Sequence, residues 1–236
     1  MGGLLQNIVI LTGAGVSAES GLKTFRGADG LWEGHRVADV CTPEAFARDP
    51  ALVHQFYDAR RARAAEVEPN SAHVALAALE AAWDGDFLLV TQNVDALHER
   101  AGSKRLIHMH GELNSGWCLA CDERFAWAGP MGEQAECPNC GKAGAVRPDI
   151  VWFGEMPYAM EAIETALTQC DLFASIGTSG AVYPAAGFVQ TARYVGAKTV
   201  ELNLEPSLGS LYFDERRYGP AGVVVPVWVA EVLSSA

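Results

Sequence analysis

No stretch of this 236-residue chain approaches the run of about 18 apolar residues that crosses a bilayer, although half of its residues are hydrophobic. The longest apolar runs are strand-length, so they are expected to build a core and not a membrane span. Positive charge is scarce: 17 Lys and Arg stand against 29 Asp and Glu, for a net charge of −12. Binding to nucleic acid or to an anionic membrane depends on lysine and arginine neutralising phosphates. The balance argues against both partners and suits substrates that carry basic residues. The opening MGGLLQN lacks a basic region and runs directly into a glycine loop. It reads as a first core strand and not as a secretory signal, so a cytoplasmic location and a monomer are expected. Internal repeats and low-complexity tracts are also absent. The six cysteines do not resemble a secreted disulfide scaffold, because four fall into two CxxC pairs and Cys41 and Cys170 stand apart. That spacing points to metal.

Strand-like and helix-like segments alternate. VILTG (9–13) reads as a buried parallel strand, and FLLVTQN (87–93) as a second one that ends in polar residues. ALVHQFYDARRARAAE (51–66) is helical in character, and SAHVALAALEAAW (71–83) is a stronger amphipathic helix capped by Asn70 or Ser71. AVRPDIVWF (145–153) then precedes an alanine-rich helix near 157–169 and the strand DLFASIGTS (171–179). A helix from Pro184 to about Tyr194, the strand AKTVELNLEP (197–206) and a last helix within 221–236 complete the chain. This alternation predicts an α/β fold whose parallel sheet is covered on both faces. Three strands end in small or polar clusters: GAG, GTSG (177–180) and NLEPS (203–207). Ligands of such sheets bind beyond the carboxyl ends of the strands, so the three clusters are expected to meet at one ligand.

Gly13 and Gly15 permit a tight turn and close backbone approach to a pyrophosphate at a helix N-terminus. GAGVS lacks the third glycine of a dinucleotide fingerprint, which disfavours an ordinary hydride-transfer dehydrogenase. The segment nevertheless continues through GAGVSAESGLKTFRG (13–27), longer and more polar than a simple turn requires. Cys118, Cys121, Cys137 and Cys140 have the spacing C-x2-C-x15-C-x2-C, strong evidence of tetrahedral zinc. Four thiolates leave no open position, so one structural zinc per chain is expected. Gln92, Asn93 and Asp95 end a strand with groups able to hydrogen-bond a carboxamide and a ribose, or to cap the next helix. Tyr57 and Arg60 share a helix face, although Arg61 and Arg63 beside them suit a solvated basic face.

GAGVSAESGLKTFRG, TQNVD (91–95), HMHGEL (108–113), the cysteine quartet, VWFGE (151–155), GTS (177–179) and NLE (203–205) occur in an order that resembles the sirtuins, the NAD-dependent protein deacylases. The resemblance covers nearly the whole chain. It implies a Rossmann-like α/β domain from 1–32, 70–113 and 146–236, and a small helical and zinc-binding module from 33–69 and 114–145. It implies NAD as co-substrate, held by Gly13, Ala14, Gly15, Ser17, Thr24, Phe25, Arg26, Trp32, Gln92, Asn93, Asp95, Gly177, Thr178, Ser179, Asn203, Leu204, Glu205 and a residue near Ala221. His110 in HGEL is the implied base, aided by Asn93, and an imidazole titrates in the right range. His108, two residues away on extended chain, points to the same face, but it reads as structural, as do His35, His54, His73 and His98. Val151, Trp152, Phe153, Gly154 and Glu155 are implied to line a groove where an acyl-lysine peptide adds as a strand.

Tyr57 and Arg60 also resemble the pair in the sirtuin branch that removes succinyl and malonyl groups, where an arginine fork receives a carboxylate. LKTFRG leans toward the same branch. Cys41, in CTPE, departs from it: that branch tends to place alanine there, and a cysteine narrows the acyl pocket. The expected reaction removes acetyl and succinyl or malonyl groups from protein lysines, giving nicotinamide and O-acyl-ADP-ribose. The alternatives are a protein mono-ADP-ribosyltransferase using the same NAD site and a non-enzymatic zinc-ribbon module.

Overall fold

The structure is a computed structural model that describes residues 5–24, 31–32 and 34–235. Along the chain come β1 (Asn7–Thr12), β2 (Leu31–Trp32), β3 (His35–Arg36), α1 (Val37–Val40), α2 (Pro43–Arg48), α3 (Pro50–Glu66) and α4 (Ser71–Ala82). Then follow β4 (Asp86–Thr91), α5 (Leu97–Ala101), β5 (Leu106–His108), β6 (Gly111–Cys118), β7 (Arg124–Ala126) and β8 (Val146–Ile150). The last elements are α6 (Met160–Gln169), β9 (Leu172–Ile176), α7 (Phe188–Tyr194), β10 (Lys198–Asn203), β11 (Glu215–Tyr218) and α8 (Ala221–Ser234). Among the described residues no helix is long and apolar enough to cross a membrane.

Six strands pair in parallel in the order β11-β10-β9-β1-β4-β5, with β1 at the centre. The strand period of two explains why residues 8–11 of β1 are all apolar. Ile8 and Ile10 face a cluster with Leu76 and Leu79 of α4 and Val225 and Trp228 of α8. Val9 and Leu11 face the opposite cluster, with Ile163 and Leu167 of α6 and Phe188 and Val189 of α7. Each large side chain buried in these layers contributes about 1.5–3 kcal/mol. Side-chain caps start the two long helices of this region, one of them at Asn70 as the sequence suggests. Asp49 accepts the Leu52 N–H at 3.0 Å to begin α3. Asn70 accepts the Ala72 N–H at 2.9 Å to begin α4, and His73 Nδ1 accepts the Asn70 N–H at 3.2 Å. The capping box is therefore closed by a histidine in place of the usual glutamate or glutamine.

The expected helix from Pro184 begins as one tight turn, Ala185–Gly187, before α7. The segment 145–153 contains β8, which lies outside the parallel sheet: β6 pairs antiparallel with β7 and with β8. The segment between them leaves and returns at one place, so its two ends zip together as a stem. The helices α1–α3 rest on this stem. Val53, Phe56 and Tyr57 pack with Leu113, Ile150 and Trp152.

The chain passes from the parallel sheet to the antiparallel stem through Met109 and His110. The Met109 N–H donates to the Thr91 carbonyl at 3.0 Å, and His110 accepts the Val151 N–H at 2.9 Å. Gly111 follows at φ +79°, and a Cβ there would sit 2.0 Å from the Asp149 carbonyl oxygen. Gly111→Ala is therefore expected to force this crossing apart and to destabilise the fold by about 1–3 kcal/mol or more. A thermal midpoint equal to wild type would refute that expectation.

Candidate active site and metal centre

The three loop clusters meet beyond the carboxyl ends of β1, β9 and β10, where such sheets bind ligands. The Gly15 N–H donates to the Gly177 carbonyl at 2.9 Å. A Cβ at Gly15 would lie 2.7 Å from Gly177 Cα, and one at Gly177 (φ +63°) would lie 2.4 Å from the Val16 nitrogen. These glycines are thus required where two loops pass backbone to backbone. That close approach is to the neighbouring loop, a role additional to the pyrophosphate contact the sequence suggests. Ala14 opens the tight helix Ala14–Ser20. Asn203 Nδ2 donates to the Thr178 carbonyl at 2.7 Å, and the Leu208 N–H to the Ser179 carbonyl at 3.0 Å. Leu204 and Glu205 are exposed on the rim, and Ala221 begins α8, half-buried. Two acidic residues missed by the sequence reading fix these loops. Glu201, fully buried, accepts from the Ser207 N–H, Ser210 Oγ and Tyr218 Oη, and Glu19 accepts the Gly222 N–H at the start of α8.

A buried polar network lies beneath. Its proton positions follow from its donors. The Asn70 N–H donates to His73 Nδ1, so the His73 proton sits on Nε2, which faces Ser17 Oγ at 3.3 Å. Asn93 Nδ2 also donates to Ser17 Oγ, at 3.1 Å. The Ser17 hydroxyl proton is left for Asp95 Oδ2 at 3.3 Å. Asp95 in turn accepts the Leu97 N–H at 3.1 Å, as the helix-capping reading of this residue expects. Burial raises the Asp95 carboxyl above its ordinary range and pushes His73 down to about 4. His98 packs edge-on against His73 and reaches Thr12 Oγ1 through Nε2 at 3.0 Å.

His108 and His110 extend this network to adjacent carbonyls. His110 Nδ1 faces the Gln92 carbonyl at 3.2 Å, and burial holds its pKa below the ordinary imidazole range. His108 Nδ1 faces the Asn93 carbonyl at 2.9 Å, and its Nε2 faces Glu99 Oε1 at 2.5 Å.

Tyr57, packed with Leu113, Ile150 and Trp152, is fully buried. Its hydroxyl accepts from Trp152 Nε1 at 3.0 Å and lies 3.0 Å from Cys41 Sγ. Burial raises both groups, the Cys41 thiol to about 11, and the neighbouring positive charge of Arg60 opposes the rise. Arg60 is half-buried, with its guanidinium 5.7 Å from the Phe56 ring centroid. The four groups thus form one compartment. Cys41 also accepts the Phe153 N–H at 3.0 Å, which ties the compartment to the segment 151–155. There Phe153 and Gly154 are exposed and Val151 is half-buried. The Glu155 carboxylate turns inward: Arg147 contacts it at 2.6 and 3.0 Å, and the Trp152 N–H donates to it at 2.8 Å. Thr24 closes the described part of the first loop, half-buried. Phe25, Arg26 and the Trp32 side chain lie outside the described residues.

The four thiols of the quartet lie within 4.8 Å of one another, with Cys118–Cys140 at 3.7 Å and Cys121–Cys137 at 3.8 Å. A tetrahedral zinc with bonds of about 2.3 Å sets its sulfurs roughly 3.8 Å apart, so this donor set fits the ion. The two CxxC turns are built alike. The Asp122 and Gly141 N–H groups, both at positive φ, donate to the Cys118 and Cys137 carbonyls at 2.9 Å.

Residues 13–184 match the Sir2 family. Curated relatives named NAD-dependent protein deacylase include one from Bdellovibrio bacteriovorus, 59% identical over 232 residues and 98% of each chain. Another, from Pasteurella multocida, is 57% identical over 228 residues, 96% of this chain and 97% of that one. Among solved structures, a mutant Sir2 homologue in complex with ADP-ribose superposes with a TM-score of 0.90 at 38% identity, covering 98% of this chain and 93% of that one. A Sir2–p53 peptide–NAD+ complex superposes with a TM-score of 0.79 at 27% identity, again over 98% and 93%.

The closed thiolate shell leads to one expectation. Cys118→Ser should lower the melting temperature and the zinc content together, from about one ion per chain. A metal-free protein with unchanged melting would contradict it.

Proposed function

The chain belongs to the Sir2 family and is an NAD-dependent protein deacylase; we propose that it removes acetyl, succinyl and malonyl groups from protein lysines with His110 as general base. One observation carries the mechanism. His110 Nδ1 faces a carbonyl, which only accepts, so the ring proton belongs on Nδ1 and the lone pair on Nε2. Burial below the ordinary imidazole range keeps that lone pair available at neutral pH. Bound NAD supplies the ribosyl acceptor for the acyl group, with nicotinamide leaving and O-acyl-ADP-ribose as product. Gly13, Ala14, Gly15, Gly177, Thr178, Ser179, Asn203, Leu204, Glu205 and Ala221 would hold its ADP-ribose part. Ser17, Gln92, Asn93 and Asp95 would orient the nicotinamide end, and Thr24, Phe25, Arg26 and Trp32 would close it. In this reading His110 draws a proton from the ribose hydroxyls.

Val151, Phe153 and Gly154 offer chain beside His110 to which an acyl-lysine peptide adds as a strand. Glu155 then acts from behind, holding the segment through Arg147. In this reading the chain divides into a dinucleotide domain (1–32, 70–113, 146–236) and a small module (33–69, 114–145), with the groove between them. Tyr57 and Arg60 sit at the end of the acyl compartment. A carboxylate entering it needs a charged partner, because an unpaired buried charge is strongly disfavoured. The deacylase relatives favour this reading over ADP-ribosyl transfer to a protein.

His110→Ala is expected to lower kcat/KM by about two to four orders of magnitude while zinc content and melting stay unchanged. Near-wild-type turnover would dismiss His110 as the base. Arg60→Met should reduce desuccinylation by about 2 kcal/mol, roughly thirtyfold, and deacetylation far less. Cys41→Ala should move the succinyl-to-acetyl ratio upward by releasing the Tyr57 hydroxyl. An equal loss of both activities in Arg60→Met, or no desuccinylation by wild type, would leave a plain deacetylase.

A further inference from the structure

His108 and His110 lie two residues apart, yet their rings have different surroundings. His110 presents one nitrogen to an acceptor, the Gln92 carbonyl. His108 presents both: Nδ1 to the Asn93 carbonyl at 2.9 Å, and Nε2 to Glu99 Oε1 at 2.5 Å. A carbonyl and a carboxylate only accept, and a neutral imidazole carries one N–H. A neutral His108 would therefore set a lone pair against one of its two oxygens. Only the imidazolium satisfies both.

We propose that His108 is held as an imidazolium and is a positioning residue, bridging the Asn93 carbonyl to Glu99, and that its deprotonation sets the alkaline limit of the activity. The proposal rests on the roles given above to Asn93 and His110. The groups around the ring favour the charged form. Glu99 on α5 and Glu112 on β6 present carboxylate oxygens within 4.8 Å of the ring nitrogen. Asp95 is the next acidic neighbour, and its carboxyl feels the His108 charge. His98 also feels the His108 charge, but burial holds it well below the ordinary range, so it adds no cation. Burial alone would lower His108, but the hydrogen bond and charge of Glu99, the Asn93 carbonyl and Glu112 outweigh it and raise its pKa.

The sign follows from that direction. A raised pKa means that the bridge is complete at acid and neutral pH and is lost as pH rises through the raised value. His110 titrates the other way: its lone pair is free above a lowered pKa. The site is competent in the window between, with His108 charged and His110 neutral. Loss of the bridge loosens the turn at 92–95. That turn carries the Asn93 amide, which donates to Ser17, and the Gln92 carbonyl, which fixes the His110 tautomer.

Two measurements on the zinc-loaded enzyme test this. In 15N NMR of the imidazoles at neutral pH, His108 should show both nitrogens protonated and His110 one bare nitrogen. In profiles of kcat/KM from about pH 5.5 to 10, wild type should be bell-shaped. Glu99→Gln, a change at a partly exposed carboxylate, should bring the alkaline limb down by about one to two pH units and leave the acid limb in place. His108→Gln, whose amide still donates to the Asn93 carbonyl, should abolish the alkaline limb and keep activity within about tenfold of wild type. A neutral His108 by NMR, or an alkaline limb unmoved in both variants, overturns the proposal. Full activity in His110→Ala with the His108 results intact would instead remove the general-base reading and leave the bridge standing.

Discussion

Polar groups buried at the carboxyl edge of a parallel sheet have no water to turn to, and this constraint organises the molecule. Thr12, Ser17, Thr91, Asn93, Asp95 and Glu201 are all buried there. Each is satisfied by a partner distant in sequence, so placing one places the others. Ser17 accepts from Asn93, whose amide nitrogen can only donate, and from His73, whose Nε2 proton follows from the Asn70 N–H occupying Nδ1. A helix cap thereby decides which way a serine hydroxyl points at the ligand edge of the sheet.

The same logic joins the zinc module to the rest. Asp58 on α3 accepts the Met131 and Gly132 N–H groups at 2.8 and 3.1 Å. Arg61, one turn on, donates to the Leu113 carbonyl at 2.6 Å. Arg147 lies on the Trp152 ring at 3.3 Å while clamping Glu155. The metal end of the small sheet is therefore continuous, through β8 and Arg147, with the segment proposed to receive the substrate. A zinc held by the quartet would support the chemistry only by holding this frame.

What the sequence disclosed depended on the range of each signal. The central strands were legible because burial on both faces writes an uninterrupted apolar run, and the zinc site because its spacing is local. β5 is too short and β11, Glu215–Tyr218, too polar to give such a signal, since each lies at an edge of the sheet. The segment 145–153 carries no periodic signal that names its partner, which is decided only by the return of the zinc segment. At the site, the glycine, TQNVD and HGEL segments were readable. His73, His108, Arg147 and Glu201 were not, because their partners arrive from other elements. Nothing local distinguishes His108 from a structural histidine: its second acceptor, Glu99, comes from α5.

The central position of β1 also bears on how the protein is made. β1 pairs with β4 on one side and with β9 on the other, in register Ile8 with Leu172. During synthesis the first half of the sheet can form as soon as β4 emerges, but β1 keeps one unpaired edge until the ribosome has passed β9. The Gly15 loop, which closes on Gly177, waits equally long. A nascent chain therefore carries the cysteine quartet and the His110 segment well before Gly15 can meet Gly177, and β9 and β10 arrive last to complete the proposed dinucleotide cradle.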